Sequence, residues 1–326
     1  MTRRTFGFAL VQIQWHPDSA VHCAEIETGI ARAVKAGADI VALPELTLSP
    51  YFAATTGRQA AAARFQEPLR SGPTATMFSA LSRHHRVHII ASLYENGGYN
   101  TAVIFDPNGS LVGACRKQHI PGSDGYAEQQ YFRSAGSAQD YPVFTLALPS
   151  GPVRVAVPTC YDQWFPELHR IYALRGAELL VFPSAIGAER SAPGLDTSDT
   201  WQLCMRGSAV ANGTFVAAIN RVTAPAGAVE PGAMGGQAFF GRSFICGPDG
   251  AVMADAGSDE ARSEVVRIDL DEVRRWRELF PLLRCRRPAE YGPLLHGEDE
   301  DDSGSSASAD AGAGTGRYQR QRSAKL

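Results

Sequence analysis

The chain has 326 residues, 44% of them apolar and 9% aromatic, with a formal net charge of −3. That length permits one large or two small domains around a sizeable core, and the charge excludes the basic footprint of a nucleic-acid binder. The six cysteines, Cys23, Cys115, Cys160, Cys204, Cys246 and Cys285, include no CxxC pair, which excludes a zinc ribbon or disulfide framework and predicts a metal-free protein of the reducing cytoplasm.

Phe6 to Ile13 reads as a buried strand, and its apolar run soon meets Gln12, Gln14 and His16, too polar for a signal peptide and too short to span a membrane. Asp18 or Ser19 caps a helix with Ile26, Ile30, Ala33 and Val34 at helical spacing, stopped by Gly37. Asp39 to Leu43 is the next strand, and a βαβ unit of this length implies parallel pairing. Glu45 then stands at a carboxyl strand end, where open α/β sheets carry their chemistry. Residues 59–86 show helical patterning, followed by a strand at Val87 to Tyr94. Asn100 to Phe105 and Leu111 to Cys115 flank the turn Asp106-Pro107-Asn108-Gly109, a hairpin signal, and Lys117 lies just beyond. Pro121 to Gly136 is rich in turn formers yet holds Tyr126, Tyr131 and Phe132 around Glu128, the composition of a binding loop.

Val153 to Val157 is a strand running into Cys160 and then a helix over Pro166 to Arg175, with Gly176 as its stop. A cysteine on that turn suits a nucleophile, since helix amides favour a thiolate there. Glu178 to Phe182 and Thr214 to Ile219 are further strands, and Trp201, Cys204, Met205 and Ser208 mark a helix between them. Val222 to Ala238 reads as loop. Phe239 to Cys246 and Ala251 to Ala254 flank Gly247-Pro248-Asp249-Gly250, a second hairpin that echoes the first and suggests a duplicated pair of sheets. Ser263 to Ile268 is a late strand, and Asp269 or Asp271 caps a short helix through Trp276. Residues 1–296 form the folded domain. Residues 297–326, acidic and then rich in Ser, Ala and Gly, bury too little apolar area to order themselves and read as a tail.

Glu45 after Leu-Pro, Lys117 in RKQHIP, Glu128 in GYAEQQYF and Cys160 in PTCYDQWFPE resemble the Glu-Lys-Glu-Cys set of the nitrilase, or carbon–nitrogen hydrolase, superfamily. PELTLSPYF, PSAIGAE, the Asn220-Arg221 pair and FFGRSFICGPDG bring the resemblance to the branch that cleaves N-carbamoylputrescine. The resemblance implies an α/β fold, a four-layer αββα sandwich, that associates into a homo-oligomer and needs no cofactor. It implies that Cys160 attacks an amide or ureido carbon with Glu45 as general base and acid, because a thiol is mostly protonated at neutral pH. Lys117 and the Tyr161 backbone N–H would receive the oxyanion, and Glu128 would pair with Lys117. Substrate contacts would come from Tyr51, Tyr126, Trp164, Ser184, Ala185 and Glu189.

Two residues depart from the family pattern. Pro158 lacks a ladder N–H and predicts a strand that stops short, and Thr159 adds a hydroxyl that needs a partner. In relatives acting on N-carbamoyl amino acids, arginines after the cysteine hold the substrate carboxylate; here Gln163 and Trp164 stand there, which favours an ammonium or an alkyl chain instead. Glu189, Asp196 and Asp199 are acidic candidates for that cationic end. Arg242 is the residue that would argue for a carboxylate. An aliphatic amidase, a nitrilase, an N-carbamoyl amino acid hydrolase and a non-catalytic family member are the alternatives; a partner is a small amide or urea, not nucleic acid or a membrane.

Overall fold

Strand β1 (Thr5–Gln14) carries the logic of the molecule, because both of its faces are buried and they belong to different cores. Phe6, Phe8 and Leu10 enter one apolar cluster, whereas Ala9, Val11 and Ile13 enter another. The period-2 alternation of strand side chains makes one strand the wall between two layers. In this computed structural model residues 3–136, 141–192, 194–223 and 237–295 are described.

After β1 come α1 (Ser19–Lys35), β2 (Ile40–Ala42), the single turn α2 (Gln59–Ala62), β3 (Gln66–Glu67), α3 (Pro73–His85), β4 (His88–Glu95), β5 (Tyr99–Phe105) and β6 (Leu111–Arg116). The chain continues through β7 (Phe144–Leu146), β8 (Val153–Ala156), α4 (Pro166–Leu174), β9 (Leu179–Pro183), α5 (Ser198–Asn212), β10 (Phe215–Ile219) and β11 (Arg221–Val222). It ends with β12 (Phe244–Cys246), β13 (Val252–Asp255), β14 (Arg262–Asp269) and α6 (Asp271–Leu279).

One sheet has the order β11-β1-β2-β4-β5-β6, with β14 also on β1 and β3 on β4; the other has the order β13-β12-β10-β9-β8-β7. Each is built on three parallel strands, flanked on one side by an antiparallel hairpin and on the other by an antiparallel strand, β14 or β7, and in the first sheet the two-residue strands β11 and β3 add further parallel pairs on β1 and β4. The duplicated sheet pair expected from the two hairpin signals is therefore present. The layers follow from the strand faces. Ile26, Ile30 and Phe78 of α1 and α3 pack on the outer face of the first sheet. Phe8, Ile90, Val181 and Phe215 meet between the sheets. Leu168, Tyr172, Trp201 and Met205 of α4 and α5 cover the second sheet together with Leu180 and Phe182. This is the αββα sandwich, and β11 is where the chain leaves the second sheet and joins the first.

Local chemistry explains the element ends. The Asp18 carboxylate accepts from the Ala20 and Val21 amides, capping α1, and Gly37 ends it at φ +93°. Two expectations are corrected. The helical pattern over 59–86 does not form one helix: Pro68 and Gly72 interrupt it, Pro73 starts α3, and Glu67 accepts from the Thr74 amide and hydroxyl to cap it from outside. The strand expected from Phe239 begins only at Phe244, because Gly241 at φ +63° and Arg242 at φ +55° turn the chain out of extended geometry. Strand β8 ends at Ala156, as the proline at 158 predicts.

Residues up to Arg284 make one compact unit, and a second begins at Cys285. The described part of the second holds short 3-10 turns at Pro288–Glu290 and Gly292–Leu295. The expected tail at 297–326 and most of the Val222 to Ala238 loop lie outside the described residues.

Candidate active site

The loop after β2 brings Glu45 into the interior, and the fold holds it by its backbone. The Glu45 N–H donates to the Ser184 carbonyl at 3.3 Å. The buried Arg221 guanidinium donates to the carbonyls of Glu45 at 3.1 Å, Leu46 at 2.6 Å and Ser49 at 2.6 Å. These bonds satisfy a segment too irregular to satisfy itself, in which Leu46 has φ +51°. Lys117 follows β6 directly and donates its amide to the Asn100 carbonyl at 2.8 Å. Glu128 opens a 3-10 turn, Glu128–Gln130, in the loop that was expected to bind.

Cys160 stands beyond the short strand β8, at φ +44°, a conformation rare for a residue with a side chain. It opens the 3-10 turn Cys160–Trp164. Asp162 stabilises that turn and ties it to the Lys117 loop. Its carboxylate accepts from the Thr159 N–H at 3.1 Å, the His119 N–H at 2.9 Å and His119 Nδ1 at 2.8 Å. The Thr159 side chain faces the Asp162 N–H in the same capping box, and its buried Oγ1 makes no other hydrogen bond, so the hydroxyl finds its partner only within this turn.

The four side chains converge. Lys117 Nζ donates to Glu45 Oε1 at 2.9 Å and to Glu128 Oε2 at 2.6 Å, and Lys117, Glu45 and Glu128 are wholly buried. Tyr51 donates to Glu128 Oε1 at 2.7 Å, and Asn100 Nδ2 to Glu45 Oε1 at 2.6 Å. Burial, and then the Glu45 carboxylate, hold the Cys160 thiol well above its ordinary pKa, with Lys117 pulling the other way. The resting cysteine is therefore a neutral thiol that needs a base. Burial also pushes the Glu128 carboxyl up, to about 7, against the pull of Lys117. Burial disfavours the Lys117 cation, but the two carboxylates outweigh it and hold it charged. An ammonium has three donors, and two are committed here. The Tyr161 N–H is also uncommitted in its turn, whose first bond runs from the Asp162 amide to the Thr159 carbonyl.

A cavity of about 280 Å³ opens on this cluster, bordered by Glu128, Cys160, Tyr161, Trp164, Tyr126 and Glu189, with Pro121, Ser123 and Ile186 completing the wall. Of the residues expected to contact substrate, Tyr126, Trp164 and Glu189 line it. Tyr51, Ser184 and Ala185 do not: Tyr51 serves Glu128, Ser184 takes the Glu45 amide, and the Ala185 backbone favours the Cys160 thiolate. Glu189 makes no side-chain hydrogen bond or ion pair with a described residue, and its partial burial raises its pKa. Asp196 accepts from its neighbour Ser198, and Asp199 pairs with Arg242 at 2.5 Å. Arg242 also reaches Ser198 and Asp255, and none of these five residues borders the cavity.

Sequence reasoning did not single out Asn100, Asp162 or the side-chain role of Arg221. Each had a signal: a polar residue heading the apolar strand NTAVIF, an acid two residues past the cysteine, and an arginine two residues past the apolar strand FVAAI. Among the described residues no group of three or more His, Cys, Asp and Glu is arranged to hold a metal ion.

Two sheets packed face to face between helical layers, with a cysteine, a lysine and two glutamates gathered at the strand ends, define a protein of the nitrilase superfamily. The carbon–nitrogen hydrolase family model matches residues 8–278, and the chain belongs to that family as an enzyme of amidase type. It is 35% identical over 298 residues to N-carbamoylputrescine amidase of Solanum lycopersicum, covering 90% of this chain and 95% of that protein. It is 33% identical over 290 residues to citrullinase of Francisella tularensis, covering 88% and 97%. The crystal structure of a carbon–nitrogen hydrolase from Helicobacter pylori G27 superposes with a TM-score of 0.78 at 29% identity, covering 90% of this chain and 99% of that one.

Proposed function

We propose that this enzyme hydrolyses a small ureido compound with an ammonium at its far end, N-carbamoylputrescine or a close analogue, through a thioester on Cys160. The observation that carries the reading is the Glu189 carboxylate. It borders the same cavity as Cys160, is free of partners among the described residues, and faces no Lys, Arg or His in that wall. A half-buried carboxylate gains most from a cationic ligand, and the Trp164 ring adds an aromatic face for an ammonium or its alkyl chain. Citrulline, from which one relative takes its name, carries an ammonium too, but its carboxylate would meet no cation among the described residues of this wall.

In this reading Cys160 Sγ attacks the ureido carbon as Glu45 takes the thiol proton. The oxyanion is received by the third Lys117 donor and the Tyr161 N–H. Collapse breaks the bond to the terminal nitrogen, which leaves as ammonia with the proton from Glu45. Water, deprotonated by Glu45, then adds to the R–NH–CO–S thioester and expels the thiolate. The carbamic acid product loses carbon dioxide to give the diamine, a step of polyamine metabolism. Six free cysteines support a reducing cytoplasm, and Leu174 and Leu203, exposed on α4 and α5, support a homo-oligomer.

The test is ammonia release from N-carbamoylputrescine, citrulline, N-carbamoyl-β-alanine and an aliphatic amide. N-carbamoylputrescine is expected to show the highest kcat/KM, and Glu189→Gln to narrow its lead mainly through KM. Brief exposure to substrate should leave an adduct on Cys160 that retains the amine end, absent in Cys160→Ala. A preference for the carboxylate-bearing compound would overturn the ammonium assignment, and turnover by Cys160→Ala would overturn the thioester.

A further inference from the structure

The two oxygens of Glu45 have different surroundings. Oε1 accepts from Asn100 Nδ2 at 2.6 Å and from Lys117 Nζ at 2.9 Å, whereas Oε2 is buried with no hydrogen-bond partner. Leaving a buried carboxylate oxygen unpartnered costs free energy, so a fold that keeps one beside a catalytic cluster keeps it available to accept a proton.

We propose that Asn100 is a positioning residue for the base: by holding Oε1, it makes Oε2 the oxygen that takes the proton from Cys160 and returns it to the leaving nitrogen. The assignment rests on Glu45 being the base. The orientation of the Asn100 amide follows from its own neighbours. Ser92 Oγ accepts from the Leu46 N–H at 3.1 Å, and its hydroxyl proton goes to Asn100 Oδ1 at 3.3 Å. The Asn100 oxygen is thereby occupied, and the NH₂ is turned to Glu45. Ser92 thus links the amide of residue 46 to the side-chain clamp on residue 45. Asn100 and Lys117 also share a backbone bond, from the Lys117 N–H to the Asn100 carbonyl at 2.8 Å, which places both donors on one hairpin edge. A carboxylate held by only one of them could rotate and offer either oxygen. Held by both, it presents one lone-pair set in one geometry, which is what proton transfer in both directions requires.

The test is a double-mutant cycle in the full chain, with Asn100→Ala, Glu45→Gln and the double variant. Two readouts are taken: kcat and KM with N-carbamoylputrescine, and the rate at which iodoacetamide alkylates Cys160, followed by mass of the Cys160 peptide. Asn100→Ala keeps the backbone bond to Lys117. It is expected to lower kcat about 10- to 100-fold with little change in KM, and to slow alkylation by a similar factor. In the Glu45→Gln background the same change should alter alkylation less than about twofold, because a residue acting through Glu45 has nothing left to position. Asn100→Asp, matched in size, exchanges the donor for an oxygen and carries the same cycle if the alanine variant does not fold. Equal losses in both backgrounds, or an Asn100 variant at the wild-type rate, would overturn the positioning role. Wild-type rates in Glu45→Gln alone would instead overturn the base on which the role rests.

Discussion

Glu128 shows at the scale of one residue how burial and pairing compete. Its carboxyl is pushed up to about 7 because burial outweighs the pull of Lys117. Below that pH it is neutral, and its ion pair with Lys117, on which the proposed oxyanion site depends, is lost. kcat/KM is therefore expected to rise with pH through about 7. The stability linkage has the opposite sign. A group whose folded pKa is raised supports the folded state fully only below its ordinary value, and that support is lost as pH climbs through about 7. Melting temperatures of the wild type and Glu128→Gln should therefore differ in slope between pH 5 and 8 (on the order of the range set by the two pKa values), with the wild type losing more as pH rises. A wild-type activity profile flat across this range would contradict the raised carboxyl.

Among the elements, the two-residue strand β11 does more than its length suggests, because Arg221 in it carries the Glu45 loop. Its guanidinium is wholly buried and meets three carbonyls of a segment that forms no regular structure. Leaving one buried carbonyl orphaned costs about 1–3 kcal/mol, and Arg221→Met would orphan several. The variant is expected to lose about 3 kcal/mol or more by denaturant unfolding. Its kcat should fall more than its KM rises, since Glu45 moves and Glu189 does not. An unchanged unfolding midpoint would show that the loop is held elsewhere. The 3-10 turn Cys160–Trp164 is the matching device on the other side, where the Asp162 carboxylate joins the cysteine turn to the lysine loop.

At the scale of the whole molecule, the fold is two copies of one sheet plan packed face to face, and the site forms where their strand ends meet. Glu45 comes from the first sheet, Cys160 from the second, and Lys117 from the hairpin at the first sheet's edge. The family model ends at residue 278, short of the acidic segment from Glu298. Truncation after residue 296 is expected to leave kcat and melting temperature nearly unchanged, because a segment so poor in apolar residues adds no core. A large fall in either, or a changed oligomer by light scattering, would show that the segment docks.

The longer strands, their parallel pairing and the two hairpins were legible in the sequence because they rest on local signals, and the four-residue set because its flanking motifs resemble those of a family; the short strands β3, β7 and β11 were not read. Alternation, turn residues and short flanking motifs act over a few positions. The helix over 59–86 was misread because periodicity persisted across Pro68 and Gly72, where backbone sterics prevail over pattern. Asn100, Asp162 and Arg221 were not recognised as site residues because their roles depend on partners 55, 43 and 176 positions away in the chain. The sequence by itself determined which residue types are present and where strands bring them to an end. Only the tertiary structure decided that Tyr51 serves Glu128 and not the cavity, that Arg242 is spent on Asp199, and that Glu189 borders the cavity with no side-chain partner among the described residues. The physical reason is that hydrogen-bond partners are shared out in three dimensions, and a polar group's role is set by the partners it fails to find within the fold.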